Sequence, residues 1–255
     1  MDLIDTHTHL YDEAFENEEE DAVKRAVESG VSKMVLPDID SKSRDKMFRL
    51  ASKFPGILFP SLGIHPTSID KNWKNEIETL EAYTDKDIVA IGETGIDCYW
   101  SKEFAEEQKQ ALEIQLKMAD RLDIPVIIHS REATELIFCV LEKCKHLNLR
   151  GVFHAFSGSE ETFRRLQKYG DWHIGIGGVI TYKKATIAET VKKIPLDHIL
   201  LETDSPYLTP VPKRGTRNER SYIPYIAEKL AIQKGLDIEE VAAATTENAR
   251  KLFKI

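Results

Sequence analysis

Two short apolar runs, Ile88-Val89-Ala90-Ile91-Gly92 and Pro125-Val126-Ile127-Ile128-His129, bracket a longer stretch from Phe104 to Leu122 whose apolar residues recur at helical spacing. Each run has the length of a strand and stops at a glycine or a polar residue, whereas the middle is too long for a strand. Strand, helix, strand in that order makes the two strands parallel, because the helix returns the chain to the edge it left. Working outward, the same unit repeats in both directions. Further strand candidates are Met1 to Thr6, Ser32 to Leu36, Ile57 to Gly63, Gly151 to His154, Trp172 to Ile176 and His198 to Glu202. Helical patterns lie near Glu18 to Ser29, Ser41 to Lys53, Trp73 to Tyr83, Arg131 to Lys145, Glu160 to Tyr169 and Ile187 to Lys193. Two more, Ser221 to Lys234 and Ile238 to Phe253, follow the last strand. Eight such units in 255 residues predict an α/β fold. The architecture expected is a single (β/α)8 TIM barrel, one domain from residue 1 to 255, with an extra C-terminal helix. A doubly wound open sheet is the alternative.

Composition narrows the class. Hydrophobic residues make up 42% and charged residues 31% of the chain, as in ordinary globular proteins. Lysine and arginine total 35 against 43 aspartates and glutamates, a formal charge of -8. Such a chain does not coat nucleic acid or membrane by bulk electrostatics, so a polyanionic substrate must be held by metal ions or a small basic loop. Three cysteines, Cys98, Cys139 and Cys144, are too few and too odd for a disulfide framework. No apolar run reaches membrane-spanning length, and the amino terminus is acidic, unlike a signal peptide. The expected address is the cytoplasm.

The chemistry collects at the carboxyl ends of the predicted strands, the face on which barrel enzymes build their active sites. Strand one ends in Asp5-Thr6-His7-Thr8-His9, strand three in Gly63-Ile64-His65-Pro66, and strand four in Gly92-Glu93-Thr94-Gly95-Ile96-Asp97. Strand five ends in Ile128-His129-Ser130-Arg131, strand six in His154-Ala155-Phe156-Ser157-Gly158, and strand eight in Glu202-Thr203-Asp204-Ser205-Pro206. His7 and His9, two apart on an extended segment, leave the same face and can grip one ion. Joined by Glu93, His129, His154 and Asp204, they form a metal-binding set of imidazoles and carboxylates, suited to Zn, Mn, Fe or Co and open to Mg. Six ligands exceed one tetrahedral ion, so the economical arrangement is two ions about 3.5 to 4 Å apart sharing a carboxylate.

As a set and in this order, these strand ends, together with the closing Asn248-Ala249-Arg250-Lys251-Leu252-Phe253, resemble the motifs of the TatD family of metal-dependent deoxyribonucleases. The resemblance spans nearly the whole chain. It implies a TIM barrel of the amidohydrolase-like superfamily that cleaves DNA phosphodiester bonds, typically as a Mg-dependent 3′ to 5′ exonuclease. Carried over, it gives His7, His9 and Asp204 to one divalent ion and His129 with His154 to a second, with Glu93 between them. Asp204 doubles as proton acceptor for the attacking water, and His65 matches a position that contacts the substrate phosphate. The cofactors implied are two divalent ions, Mg, Mn or Zn. The expected partner is DNA, single-stranded or at a 3′ end, with no membrane and with the chain acting as a monomer. One departure stands out: the family loop reads Arg-Gly-x-x-Asn-Glu-Pro, and here Arg214-Gly215-Thr216-Arg217-Asn218-Glu219 runs into Arg220. With Lys213, the arginines Arg214, Arg217 and Arg220 form a basic cluster on a long loop after strand eight, whose functional reading is phosphate grip. Arg131 is a further candidate substrate contact.

Other features have plainer readings. Cys139 and Cys144 sit five apart on a predicted helix and face different ways, and Cys98 reads as packing. His146 and His198 fall at the end of the barrel away from chemistry. His173 precedes a Gly175, Gly177, Gly178 string that lacks a dinucleotide fingerprint. Tyr99 and Trp100, on the loop after strand four, can stack on a base or pack on the rim. Rival activities are hydrolysis of C-N or ester bonds, including the ester of a D-aminoacyl-tRNA, and a barrel that binds metal or nucleic acid without turnover. Superfamily enzymes of the first kind use a bridging lysine on strand four, where this chain has Glu93.

Overall fold

The computed structural model describes residues 1–255 and contains all eight expected strands, every neighbouring pair parallel. They are β1 (Leu3–Asp5), β2 (Val31–Leu36), β3 (Leu58–Pro60), β4 (Ile91–Asp97), β5 (Val126–Arg131), β6 (Arg150–Phe153), β7 (Asp171–Ile176) and β8 (Ile199–Leu201). Their ladders form two arcs, β1-β2-β3 and β4 through β8. Bridges between Leu62 and Ile91 and between Thr8 and Ser205, with Thr6 N donating to Leu201 O at 3.0 Å, join the arcs into a ring. The ring is the closed barrel; the open-sheet alternative falls.

Outside lie α1 (Glu19–Glu28), α2 (Ser41–Lys53), α3 (Trp73–Glu81), α4 (Ala105–Leu122), α5 (Thr134–Lys143), α6 (Glu160–Leu166), α7 (Ile187–Thr190) and α8 (Ile223–Lys234). Their ends follow local chemistry. Asp40 caps α2 by accepting from Lys42 N and Ser43 N, and Ser159 caps α6 through Thr162 N. A left-handed Gly235 closes α8. The extra helix, α9 (Ile238–Phe253), crosses the amino-terminal end of the barrel, where Thr246 Oγ1 donates to Asp2 O and Asn248 Nδ2 to Leu196 O and Ile199 O. Its Ala249, Leu252 and Phe253 pack with Ile4, Val35, Ala90, Ile127, Val152 and Leu200, the inward-facing layer of the barrel. That apolar plug leaves the carboxyl-terminal end as the open, polar one. None of the helices is long and apolar enough to cross a membrane.

Two boundaries differ from expectation in an informative way. The fourth strand is Ile91–Asp97, displaced toward the carboxyl end from the expected Ile88–Gly92. Its inward positions near the mouth are polar because they line the site, so an apolar run stops too early. For the same reason β5 continues through Arg131, and α5 begins at Thr134 only after Glu132 takes a left-handed turn, φ 52°.

Candidate metal centre

Residues Asp5 to His9 leave β1 extended, so His7 and His9 point inward together, both buried, with their Nε2 atoms 3.3 Å apart. Glu93, inside β4, divides its carboxylate between two groups. Its Oε2 lies 3.0 Å from His7 Nε2 and 3.8 Å from His9 Nε2, while Oε1 lies 2.9 Å from His129 Nδ1 and 3.9 Å from His154 Nε2. Asp204 divides in the same sense. Oδ1 faces His7 and His9 at 3.8 and 3.4 Å, and Oδ2 faces His154 at 3.7 Å. The structure thus gathers His7, His9, Glu93, His129, His154 and Asp204 into one cluster.

Long-range contacts set this geometry. Asp204 adopts a left-handed backbone, φ 56°, uncommon for a non-glycine residue, and its N–H donates to His7 O at 2.9 Å. Beneath it Asp5, fully buried, accepts from Thr203 N, Thr203 Oγ1 and His7 N, tying the end of β1 to the end of β8. Asn218 Nδ2 donates to Thr203 O and Tyr207 O and braces the same turn. Gly175 is required where it stands, because a Cβ there would collide with the Glu202 carboxylate. That carboxylate accepts from Ala155 N and lies 3.0 Å from His154 Nδ1, so it orients the His154 ring.

Four of these orienting residues had no assigned role in the sequence: Glu202, Asp97, Tyr11 and Asn218. Asp97 Oδ2 lies 3.0 Å from His129 Nε2, on the side opposite Glu93. Tyr11 donates its hydroxyl hydrogen to Pro37 O and therefore accepts from His9 Nδ1 at 3.2 Å, which leaves the His9 Nε2 lone pair aimed at the cluster. Glu202 and Asp97 carry a readable signal, since each alternates with an assigned carboxylate or follows one at a strand end. Tyr11 and Asn218 carry none.

The charges are strongly coupled. Burial pushes the Glu93 carboxyl up, but the imidazoles of His7, His65 and His154 and the contact from His129 outweigh it and hold it well below the ordinary range. Asp204 is lowered against its burial by His154 and His9. Burial disfavours charge on His129 and His154 too, yet Asp97 and Glu93 raise His129 to about 9, and Glu202 with Asp204 raises His154 to about 10. His7 is lowered by burial and by His154. Two carboxylates among four imidazoles, with no thiol, form a donor set of intermediate hardness, and the buried His7 Nδ1 has no partner. The set fits divalent metal ions, which would replace the protons held by His129 and His154.

The remaining expected contacts divide. His65 Nε2 lies 3.5 Å from Glu93 Oε1, and its Nδ1 accepts from Thr67 N at 3.2 Å, so Nε2 carries the hydrogen and faces the cluster as a donor. Arg131 is exposed and stacks 3.6 Å over Tyr99; Arg214 lies 4.2 Å over Tyr182. Arg217 and Arg220 do not form the free basic cluster expected of them. Arg217 donates to Glu18, Glu219 and Ala14 O. Arg220 is fully buried, donates to Thr8 Oγ1 at 2.8 Å and lies 3.9 Å from the Phe15 ring. The physical reason is that the loop folds back onto α1 and the end of β1, where carboxylates and an aromatic face take up its cations. At the opposite end of the barrel Asp171, His173 and His198 also meet, but the carboxylate there is exposed and His198 Nδ1 contacts Trp172 O.

Comparison with known proteins follows the same lines. The family model described as TatD related DNase matches residues 4–254. An uncharacterized metal-dependent hydrolase, YabD, of Bacillus subtilis is 36% identical over 99% of this chain and 99% of its own. The 3′-5′ ssDNA/RNA exonuclease TatD of Pantoea vagans is 32% identical over 99% of this chain and 100% of its own. The crystal structure of the TatD homologue YjjV from Escherichia coli superposes with a TM-score of 0.91 at 30% identity, covering 99% of this chain and 98% of that one. With the motifs in order, the barrel closed and the match running from end to end, the chain belongs to the TatD-related DNase family of metal-dependent hydrolases.

Proposed function

We propose that this protein hydrolyses phosphodiester bonds of single-stranded DNA from a 3′ end, using two divalent ions, Mg, Mn or Zn, held by His7, His9, Glu93, His129, His154 and Asp204. The observation that carries this reading is the division of Glu93, whose two oxygens face two separate imidazole groups. One ion would sit with His7, His9 and Asp204, the other with His129 and His154, and Glu93 would span both. Such ions supply Lewis acidity, lowering the pKa of a water and offsetting charge on the phosphoryl oxygens. Asp204, kept anionic, accepts the proton of the attacking water. His65 donates from Nε2 to a phosphoryl oxygen. Glu202, Asp97 and Tyr11 hold the imidazoles in register, and the apolar plug beneath keeps the floor rigid. A cytoplasmic address accords with three unpaired thiols.

A 5′-labelled single-stranded oligonucleotide, incubated with and without chelator beside an ester and an amide substrate, tests the reaction class. Loss of nucleotides from the 3′ end, abolished by chelator, is the expected result; turnover of only the amide or ester would replace this reading. Glu93→Ala should lower kcat by on the order of 10³ or more while leaving the circular dichroism spectrum unchanged. Retention of more than about a tenth of the activity would remove Glu93 from its spanning role.

The same centre predicts a pH dependence for metal binding. Because His129 and His154 titrate at about 9 and about 10 in the metal-free protein, both hold protons near neutral pH. Loading must expel them, so apparent affinity should rise with pH until those values are passed. Calorimetry in two buffers of different ionisation enthalpy should show roughly one to two protons released per chain near neutrality. Release of none would mean that these imidazoles are already neutral in the metal-free centre.

A further inference from the structure

Trp100 is 71% exposed and Tyr99 49%, unusual for such large apolar rings on a chain whose other tryptophans, Trp73 and Trp172, are buried. The two rings meet edge to face at 4.9 Å, and the Arg131 guanidinium lies 3.6 Å over Tyr99 and 5.4 Å from Trp100. No carboxylate claims Arg131. The group is rooted in the metal centre rather than merely near it. Glu93 Oε1 contacts His129 Nδ1, His129 Nε2 contacts Asp97 Oδ2, and Asp97 Oδ1 accepts from Tyr99 N at 2.9 Å. An aromatic that only packed on the rim would bury most of its face, and this indole leaves most of its face to solvent.

We propose that Tyr99, Trp100 and Arg131 form a base-stacking ledge, on which Trp100 takes a nucleobase of the single strand while Arg131 meets an adjoining phosphate. The proposal rests on the nuclease reading above and adds a subsite to it. An aromatic face beside an unpaired guanidinium is the pattern that single-stranded nucleic acid requires, because every base has a π face and every step of the backbone a charge. A ledge fixed by Asp97 to the same carboxylate and imidazole that form the centre sets the strand's position relative to the bond to be cut. On a chain of net charge -8, stacking also supplies attraction that bulk electrostatics cannot.

Because Trp100 is the exposed tryptophan, its emission reports occupancy directly. Metal-loaded protein titrated with a nuclease-resistant phosphorothioate oligonucleotide should lose fluorescence, and an abasic oligonucleotide of the same length should not produce that loss. Trp100→Ala should raise KM for an oligonucleotide relative to KM for bis(p-nitrophenyl) phosphate by about five- to a hundredfold, the range of base stacking on an aromatic. Trp100→Phe should recover much of that ratio, which a merely structural role would not predict. Equal quenching by the abasic strand, or an unchanged KM ratio in Trp100→Ala beside normal cleavage by the wild type, would overturn the ledge alone. If metal-loaded wild type cleaves no oligonucleotide at all, the nuclease reading falls and takes the ledge with it.

Discussion

The loop after β4 and the loop after β8 stand four strands apart in an eight-stranded ring, so they face each other across the barrel mouth. Both carry aromatic residues, and an arginine lies beside the first as several lie within the second. On the β4 side Tyr99, Trp100 and Arg131 are exposed, and Arg131 is claimed by aromatic faces alone. On the β8 side most of the charges are spent internally: Arg25 holds Glu219 at 2.9 Å, Arg217 is held by Glu18 and Glu219, and Arg220 is buried, while Arg214 and Lys213 meet aromatic rings alone. The difference teaches that the number of arginines on a mouth loop says little about phosphate grip. What matters is whether the rest of the chain, by a carboxylate as at Arg217 or by burial as at Arg220, takes them up first.

The sharpest way to break this comparison is Arg220→Ala. If Arg220 supports the β1 and β8 ends from beneath, its loss leaves a cavity against Phe15 and removes a positive charge that favours the buried Asp5 carboxylate, costing about 2 to 4 kcal/mol. Urea melts should show this, and activity should fall because the Asp204 turn loses its footing. An unchanged melt with weaker, less salt-dependent DNA binding would instead restore Arg220 to the phosphate-gripping role.

A middle-sized effect is expected at Arg131. Arg131→Ala should weaken oligonucleotide binding whatever the base sequence and flatten the plot of log K against log salt by about 0.7 for the lost phosphate contact. Parallel salt plots for mutant and wild type would remove Arg131 from the binding surface.

The smallest effect should come from Arg217→Ala. Its guanidinium is already paired with Glu18 and Glu219, so the salt slope should stay within about 0.2 of wild type, well below one phosphate contact. The pair with Glu18 is exposed and weak, and Glu219, half-buried, keeps its contact with Arg25, so stability should fall by only about 1 kcal/mol. A slope change matching that of Arg131→Ala would erase the distinction between the two rims.

By itself the sequence determined the order and number of the strands, because short apolar runs alternating with helical periodicity admit few other folds. It also marked the inward histidines and carboxylates, since a His-x-His pair or a Gly-Glu at a strand end projects toward the mouth whatever the rest does. It misplaced β4, whose inward face turns polar where it lines the site, and so hid that Glu93 lies inside a strand. Only the tertiary structure decided partnerships: that Glu202 orients His154, that Tyr11 sets the His9 tautomer, that Asn218 braces the Asp204 turn, and that Arg220 lies buried. Each joins residues far apart in the chain. Local periodicity fixes which way a side chain leaves its strand, but what it meets depends on the closure of the barrel and the course of its loops.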